Sequence, residues 1–222
     1  MPGPAAALIL YATDLSGYCA KIRIALAAKD LAFETREPPG GYGSAAYRAI
    51  VPLGTVPAIV HGDFVLSESE IIVEYLEETF PAPALLFGTP AERARQRFLA
   101  RFHDLRLEPP LRALFGQVAP ARRDAAAVAA RLDEFALRLA ELEAMAEPGP
   151  YLAGTLLGVA DLGYPATLML AERLHAALGR RLTLPPKLAR WRATTCADPA
   201  VAPALARCTS ATDSWLAQRL AA

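Results

Sequence analysis

The chain has 222 residues, 54% apolar and 21% charged, a globular profile that excludes disorder and leaves ample length for a buried core. Lys plus Arg and Asp plus Glu balance at 23 each, so composition offers no electrostatic handle for nucleic acid or an anionic membrane. No apolar run nears the ~20 residues of a membrane span. The three cysteines, Cys19, Cys196 and Cys208, are too few for a disulfide scaffold, and they predict a reducing, cytoplasmic setting.

Met1 to Ala7 read as a frayed tail, without the basic start or the apolar length of a signal peptide. Leu8–Tyr11 is an apolar run of strand length. Cys19–Lys29 reads as a helix with Ile22, Ala25, Leu26 and Lys29 in successive turns. Phe33–Arg36 alternates as a strand does, and Ser44–Ile50 suits a short helix before Pro52. Ala58–Val60 and Phe64–Leu66 are joined by His61-Gly62-Asp63, a hairpin signal. Ser69–Thr79 is a helix with Ile72, Tyr75, Leu76 and Phe80 on one side. The order β-α-β-α-β-β-α, one βαβ unit followed by a ββα unit, is the thioredoxin-like arrangement.

Pro81-Ala82-Pro83 and Gly88-Thr89-Pro90 flank a linker over residues 83–91, dividing a domain of residues 1–82 from a helical one of residues 92–222. Glu92–Leu107 is its first helix, with Pro109-Pro110 beyond to bend or end it. Ala125–Glu147 places Val128, Leu132, Phe135, Leu139, Leu142 and Met145 on one stripe, and Pro148-Gly149-Pro150 stops it. Asp161–Leu178 is more apolar and is expected at the centre of the domain. Pro185-Pro186 opens another helix holding Leu188, Trp191 and Arg192.

Chemistry concentrates at three boundaries. Ser16-Gly17-Tyr18-Cys19 lies between the first strand and the first helix, where free helix N–H groups favour a thiolate. A serine hydroxyl there donates a hydrogen bond to a sulfur but is no base. Lowering a thiol pKa by ~2 units takes roughly 2.7 kcal/mol, within reach of one charge-assisted hydrogen bond plus a helix N-terminus. Alternatively, Ser16 only caps the helix. Next, Gly54-Thr55-Val56-Pro57 puts a proline directly before a strand, where it offers no ladder N–H. Either the bond is cis and turns Val56 toward the thiol turn, or it is an ordinary strand start. Finally, Glu68-Ser69 opens a helix with an acid and a hydroxyl, which suits a ligand site and plain capping equally.

The order of these pieces resembles the glutathione S-transferase superfamily, of the cytosolic serine type with zeta- and theta-like features. Ser16 stands five residues before Lys21-Ile22-Arg23-Ile24-Ala25-Leu26. Glu68-Ser69-x-Ile71-Ile72-x-x-Tyr75-Leu76 is similar to the family's Glu/Gln-Ser signature. Tyr151-Leu152-Ala153-Gly154 followed by Gly158-Val159-Ala160-Asp161 is similar to its capping box, with Gly158 giving up the usual side-chain oxygen. The resemblance implies a thioredoxin-like βαβαββα domain followed by an all-α helical bundle. Glutathione is the implied co-substrate, a small hydrophobic electrophile the second substrate and a homodimer the assembly, with no metal, nucleic acid or membrane partner.

Residue by residue, it implies that Ser16 favours the glutathione thiolate and that Val56, before a cis Pro57, pairs with the cysteinyl backbone. Ser69 would hold the γ-glutamyl carboxylate and Glu68 its ammonium. Thr55 stands where a basic residue is common, leaving Arg48, Tyr47 or a residue of the helical domain for the glycyl carboxylate. Tyr11, at a strand end used by other classes, is an alternative hydroxyl. Cys19, the second cysteine of a glutaredoxin-like Cys-Pro-Tyr-Cys spacing, is an alternative thiol for disulfide reduction. Phe102, His103, Arg106 and Phe115 are the expected lining of the substrate pocket. A different class of reading is a non-catalytic binding or scaffold module. Cys196 and Cys208 read as core thiols, and His61 and His175 as packed or solvated.

Overall fold

The computed structural model describes residues 6–221, so the expected tail lies outside it apart from its last two residues. Strands β1 (Leu8–Tyr11), β2 (Glu34–Arg36), β3 (Ala58–His61) and β4 (Phe64–Ser67) form one sheet in the order β2-β1-β3-β4. β1 runs parallel to β2 and antiparallel to β3, which is antiparallel to β4. Helices α1 (Gly17–Ala28), α2 (Ala45–Arg48) and α3 (Ser69–Thr79) complete the βαβαββα unit.

The two-residue period of β1 sorts its side chains onto two faces. Leu8 and Leu10 pack with Ile22, Ala25 and Leu26 of α1 and Ile72 and Leu76 of α3. Tyr11 points the other way and joins Tyr47, Val51 and Ala58 in a separate cluster. α1 is buried from Cys19 to Leu26 because its far face meets the helical domain, where Ala20 packs against Ala166, Met169 and Cys208. Its buried cations are all matched by carboxylates: Lys21 by Glu70 at 2.5 Å, Arg23 by Asp14 at 2.9 Å and Lys29 by Glu77 at 2.7 Å.

The segment after α3 is fastened down. Lys29 donates to the carbonyls of Phe80 and Pro83, while Glu77 accepts the amides of Leu85 and Leu86. α4 (Pro90–Phe102) begins two residues before its expected start, because Thr89 and Glu92 form a capping box with proline at the first position. It does not run on to Leu107. Pro109 and Pro110 lack the N–H groups a regular helix would aim at Leu105 and Arg106. The chain instead widens into a π-helical turn, His103–Leu107, in which the Glu108 N–H reaches the His103 carbonyl, and then enters α5 (Glu108–Arg112).

The long helices follow as α6 (Ala125–Met145), α7 (Tyr164–Ala177), α8 (Pro186–Ala197) and α9 (Ala202–Leu220). The α6 stripe from Val128 to Leu142 is buried as its spacing predicts, and α7 is buried from Tyr164 to Met169 at the domain centre. α7 starts three residues later than expected. Asp161 lies in the turn before it, accepting the amides of Leu152 and Gly158 and the Trp191 indole N–H at 2.9, 3.1 and 2.7 Å. Among the described residues no helix is long and apolar enough to cross a membrane.

Candidate active site

A cleft of about 1020 Å³ opens where the three sequence boundaries meet the helical domain. Ser16, Gly17 and Tyr18 come from the start of α1, Thr55, Val56 and Pro57 from the turn before β3, and Glu68 and Ser69 from the start of α3. The facing wall holds Leu105 of the π-helical turn, Arg112 at the end of α5, Phe115 and Leu170. A shallower depression beside α9, of about 620 Å³, includes Cys196 and Asp213 and none of the expected site residues.

Ser16 is the N-cap of α1: its Oγ accepts the Cys19 N–H at 3.2 Å. Capping uses an oxygen lone pair and leaves the hydroxyl hydrogen free, so cap and thiolate donor are compatible roles. The Val56-Pro57 bond is cis. β3 begins at Ala58, so Val56 stands outside the ladder and lines the same cleft. Tyr47 supports this turn by donating from its hydroxyl to the Thr55 carbonyl at 2.9 Å. Glu68 holds a left-handed backbone, φ 74°, and makes no side-chain cap, which leaves the first N–H groups of α3 without a local acceptor.

The residues present fit a γ-glutamyl tripeptide. The unpaired Val56 peptide suits an extended backbone, the uncapped N-terminus of α3 beside Ser69 suits a carboxylate, and the exposed Glu68 carboxylate suits an ammonium. Thr55 Oγ1 is buried on the cleft wall without a hydrogen-bond partner.

Other expected residues stand elsewhere. Tyr11 lies on the opposite face of the sheet against Tyr47, with ring centroids 5.3 Å apart, and does not line the cleft. Cys19 is fully buried in the α1 core, and burial pushes its thiol up against the pull of the Ser16 hydroxyl, so disulfide chemistry at this position is set aside. Phe102 points into the helical core beside Leu99. His103 is a buried strut: one ring nitrogen lies 2.7 Å from Asp104 Oδ1, the other 2.7 Å from Thr167 Oγ1. Arg106 is exposed away from the cleft. Of the four expected pocket residues, only Phe115 lies on its wall. Arg48 and Tyr47, open candidates for the glycyl carboxylate, are spent on backbone carbonyls.

Sequence reasoning gave no role of their own to Tyr18, Glu70 and Arg112. Burial and the nearby Glu108 carboxylate push the Tyr18 phenol up to about 12, keeping it a neutral donor. Burial alone would raise the Asp104 carboxyl, but the His103 hydrogen bond and Lys21 outweigh it and hold it low. Among the described residues no group of His, Cys, Asp and Glu has the placement to hold a metal ion.

The family model described as Glutathione S-transferase, N-terminal domain matches residues 10–84. A glutathione S-transferase of Pseudomonas putida is 31% identical over 181 residues, covering 79% of this chain and 78% of the relative. The chain belongs to the glutathione S-transferase family. Among glutathione S-transferase structures, the theta class enzyme of the citrus canker pathogen Xanthomonas axonopodis pv. citri, with glutathione bound, superposes with a TM-score of 0.75. The two are 29% identical, with 92% of this chain and 98% of that one covered. A Stringent starvation protein A homolog of Pasteurella multocida is 38% identical over 92 residues, 41% of this chain. The chain spans less than half, 43%, of that curated relative. The thioredoxin-like unit followed by a helical bundle is the fold that the sequence predicts.

Proposed function

We propose that this protein is a glutathione transferase that conjugates glutathione to small hydrophobic electrophiles. Residues 1–82 hold the tripeptide and residues 92–222 supply the pocket for the second substrate. The observation that carries this reading is Ser16: its oxygen caps α1 on the cleft wall, and its hydroxyl hydrogen remains available as a donor to a bound sulfur. Glutathione supplies the nucleophilic sulfur. The chain's part is to donate from Ser16 Oγ and the α1 N-terminus to that sulfur, keeping it ionised near neutral pH. Val56 orients the cysteinyl backbone, Ser69 and the α3 N-terminus take the γ-glutamyl carboxylate, Glu68 its ammonium, and Thr55 Oγ1 the glycyl end. The protein acts by positioning and charge stabilisation. Three free cysteines support a reducing cytoplasm, and exposed Ile71 and Phe98 support a homodimer.

The test separates capping from donation. Ser16→Asp keeps an oxygen acceptor for the Cys19 N–H but has no hydrogen to give the sulfur. Ultraviolet titration of bound glutathione should show a thiol pKa below that of the free tripeptide in the wild type. It should rise by ~2 units in Ser16→Ala and Ser16→Asp alike, and conjugation of a chlorinated nitroarene should fall with it. An unchanged thiol pKa in both variants overturns the assignment. A second reading, a glutathione-binding module without turnover, draws on relatives whose names carry no transferase activity. It predicts retention on glutathione resin with no conjugation.

A further inference from the structure

The cleft wall that faces the α1 turn carries an apolar patch of Leu105, Phe115 and Leu170, with Arg112 standing among them. The other arginines of the cleft, Arg97 and Arg101, are paired with Glu74 and Asp104. The Arg112 guanidinium carbon is 4.6 Å from the centroid of the Tyr18 ring and 5.9 Å from that of Phe115. On the inner side its Nε meets Glu108 Oε2 at 2.9 Å, and Glu108 also accepts from the Thr167 hydroxyl at 2.6 Å. The guanidinium is therefore held in place from below and beside, with 42% of the side chain still accessible. Its five N–H donors exceed what one carboxylate oxygen and an aromatic face can use.

A wholly apolar substrate laid over this wall would strip water from a cation and return nothing for it. The other carboxylates lining the cleft are already engaged, Glu70 and Asp104 by Lys21 and Glu74 by Arg97, while Glu68 belongs to the α3 end. We infer that the second substrate is an aromatic or alkenyl electrophile bearing an anionic group, most simply a carboxylate. Arg112 holds the anion while Phe115, Leu105 and Leu170 cover the apolar body. Arg112 is thus the specificity-determining residue of this apolar patch. This inference rests on reading the cleft as a transferase site.

The test uses binding, so that it stands apart from turnover. Trp215, whose ring lies 5.1 Å from that of Phe115, reports on the wall by its fluorescence, while the other tryptophan, Trp191, is buried in the helical core. Titration of the whole protein with naphthoate and with the isosteric neutral naphthamide should show the acid bound about tenfold more tightly, ~1.4 kcal/mol. Arg112→Gln should bring the acid-to-amide ratio to about one, and Arg112→Lys, which keeps a cation, should retain part of the preference. Equal binding of acid and amide by the wild type, a ratio unmoved by Arg112→Gln, or binding of neither compound overturns the inference. An acid preference without glutathione conjugation sinks the transferase reading instead. Conjugation of neutral nitroarenes with no acid preference does the reverse.

Discussion

Lys21 Nζ and Glu70 Oε2 stand 2.5 Å apart, joining α1 to α3 where only 1% and 8% of the two side chains meet solvent. Asp104 adds a second carboxylate to the same ammonium at 3.3 Å from the helical domain. The lysine thus balances two acids, one from each domain. Lys21→Met leaves Glu70 buried without a counter-charge, while Asp104 keeps Arg101 at 3.6 Å, and should cost about 3–5 kcal/mol in urea unfolding. Pairing it with Glu70→Gln should recover part of that loss. A double variant no more stable than Lys21→Met would contradict the coupling.

Glu68 trades backbone strain for a position in the cleft. Its left-handed conformation costs an L-residue ~1–2 kcal/mol, and glycine would give back ~0.5–1 in unfolded-state entropy. Glu68→Gly should therefore raise stability by about 0.5–1 kcal/mol in thermal melts. It should also weaken glutathione by about tenfold in calorimetry, as a charge-assisted hydrogen bond is lost. A variant that is less stable than the wild type would remove the strain argument.

Gly158 looks from the sequence like a cap that has lost its side-chain oxygen, at a cost of a few tenths of a kcal/mol. The fold gives the position another reason. A Cβ there would lie 2.9 Å from the Leu85 carbonyl oxygen and 3.0 Å from Phe87 Cε1, in the segment that joins the domains. Gly158→Ser, a better cap on paper, should destabilise by about 1–3 kcal/mol through overpacking. Denaturant unfolding measures the sign directly.

Asp161 makes stability depend on pH. Burial pushes its carboxyl up to about 6 against three hydrogen-bond donors that pull it down. The folded state therefore keeps a proton that the unfolded chain, at ~3.9, has released. The stabilisation is full below about pH 4 and is lost as pH rises through about 6, with a span of ~3 kcal/mol. Asp161→Asn cannot titrate, so its deficit against the wild type should narrow between about pH 4 and pH 7. A deficit that widens over that range would reverse the assignment.

The glutathione end of the cleft was legible because it lies at boundaries punctuated in the sequence. Ser16 precedes a helix, Pro57 a strand, and Glu68 a helix whose limits, Ser69–Thr79, match their prediction. The facing wall was not. Phe102 and His103 sit on a stripe that serves core and pocket equally in any linear reading, and the packing of Tyr164 and Thr167 against His103 decides for the core. The π-helical turn has no periodic signature of its own, so a straight helix to Leu107 was the natural expectation. Arg112 and Tyr18 are distant in sequence, and their contact exists only once α5 is laid against the start of α1.

Val159, Leu162, Val201 and Ala204 of the helical domain share one core with β1, α1 and α3, and Glu77 clasps the connecting segment from the other end. The two lobes are thus welded through one continuous core. Accommodation falls to accessible apolar side chains of the rim, Leu15, Tyr42, Ile71 and Leu105 at 41%, 66%, 52% and 59% exposure. These turn on the picosecond-to-nanosecond scale of rotamers, so admission of bulky compounds is a matter of local swivelling and not of slow lobe movement.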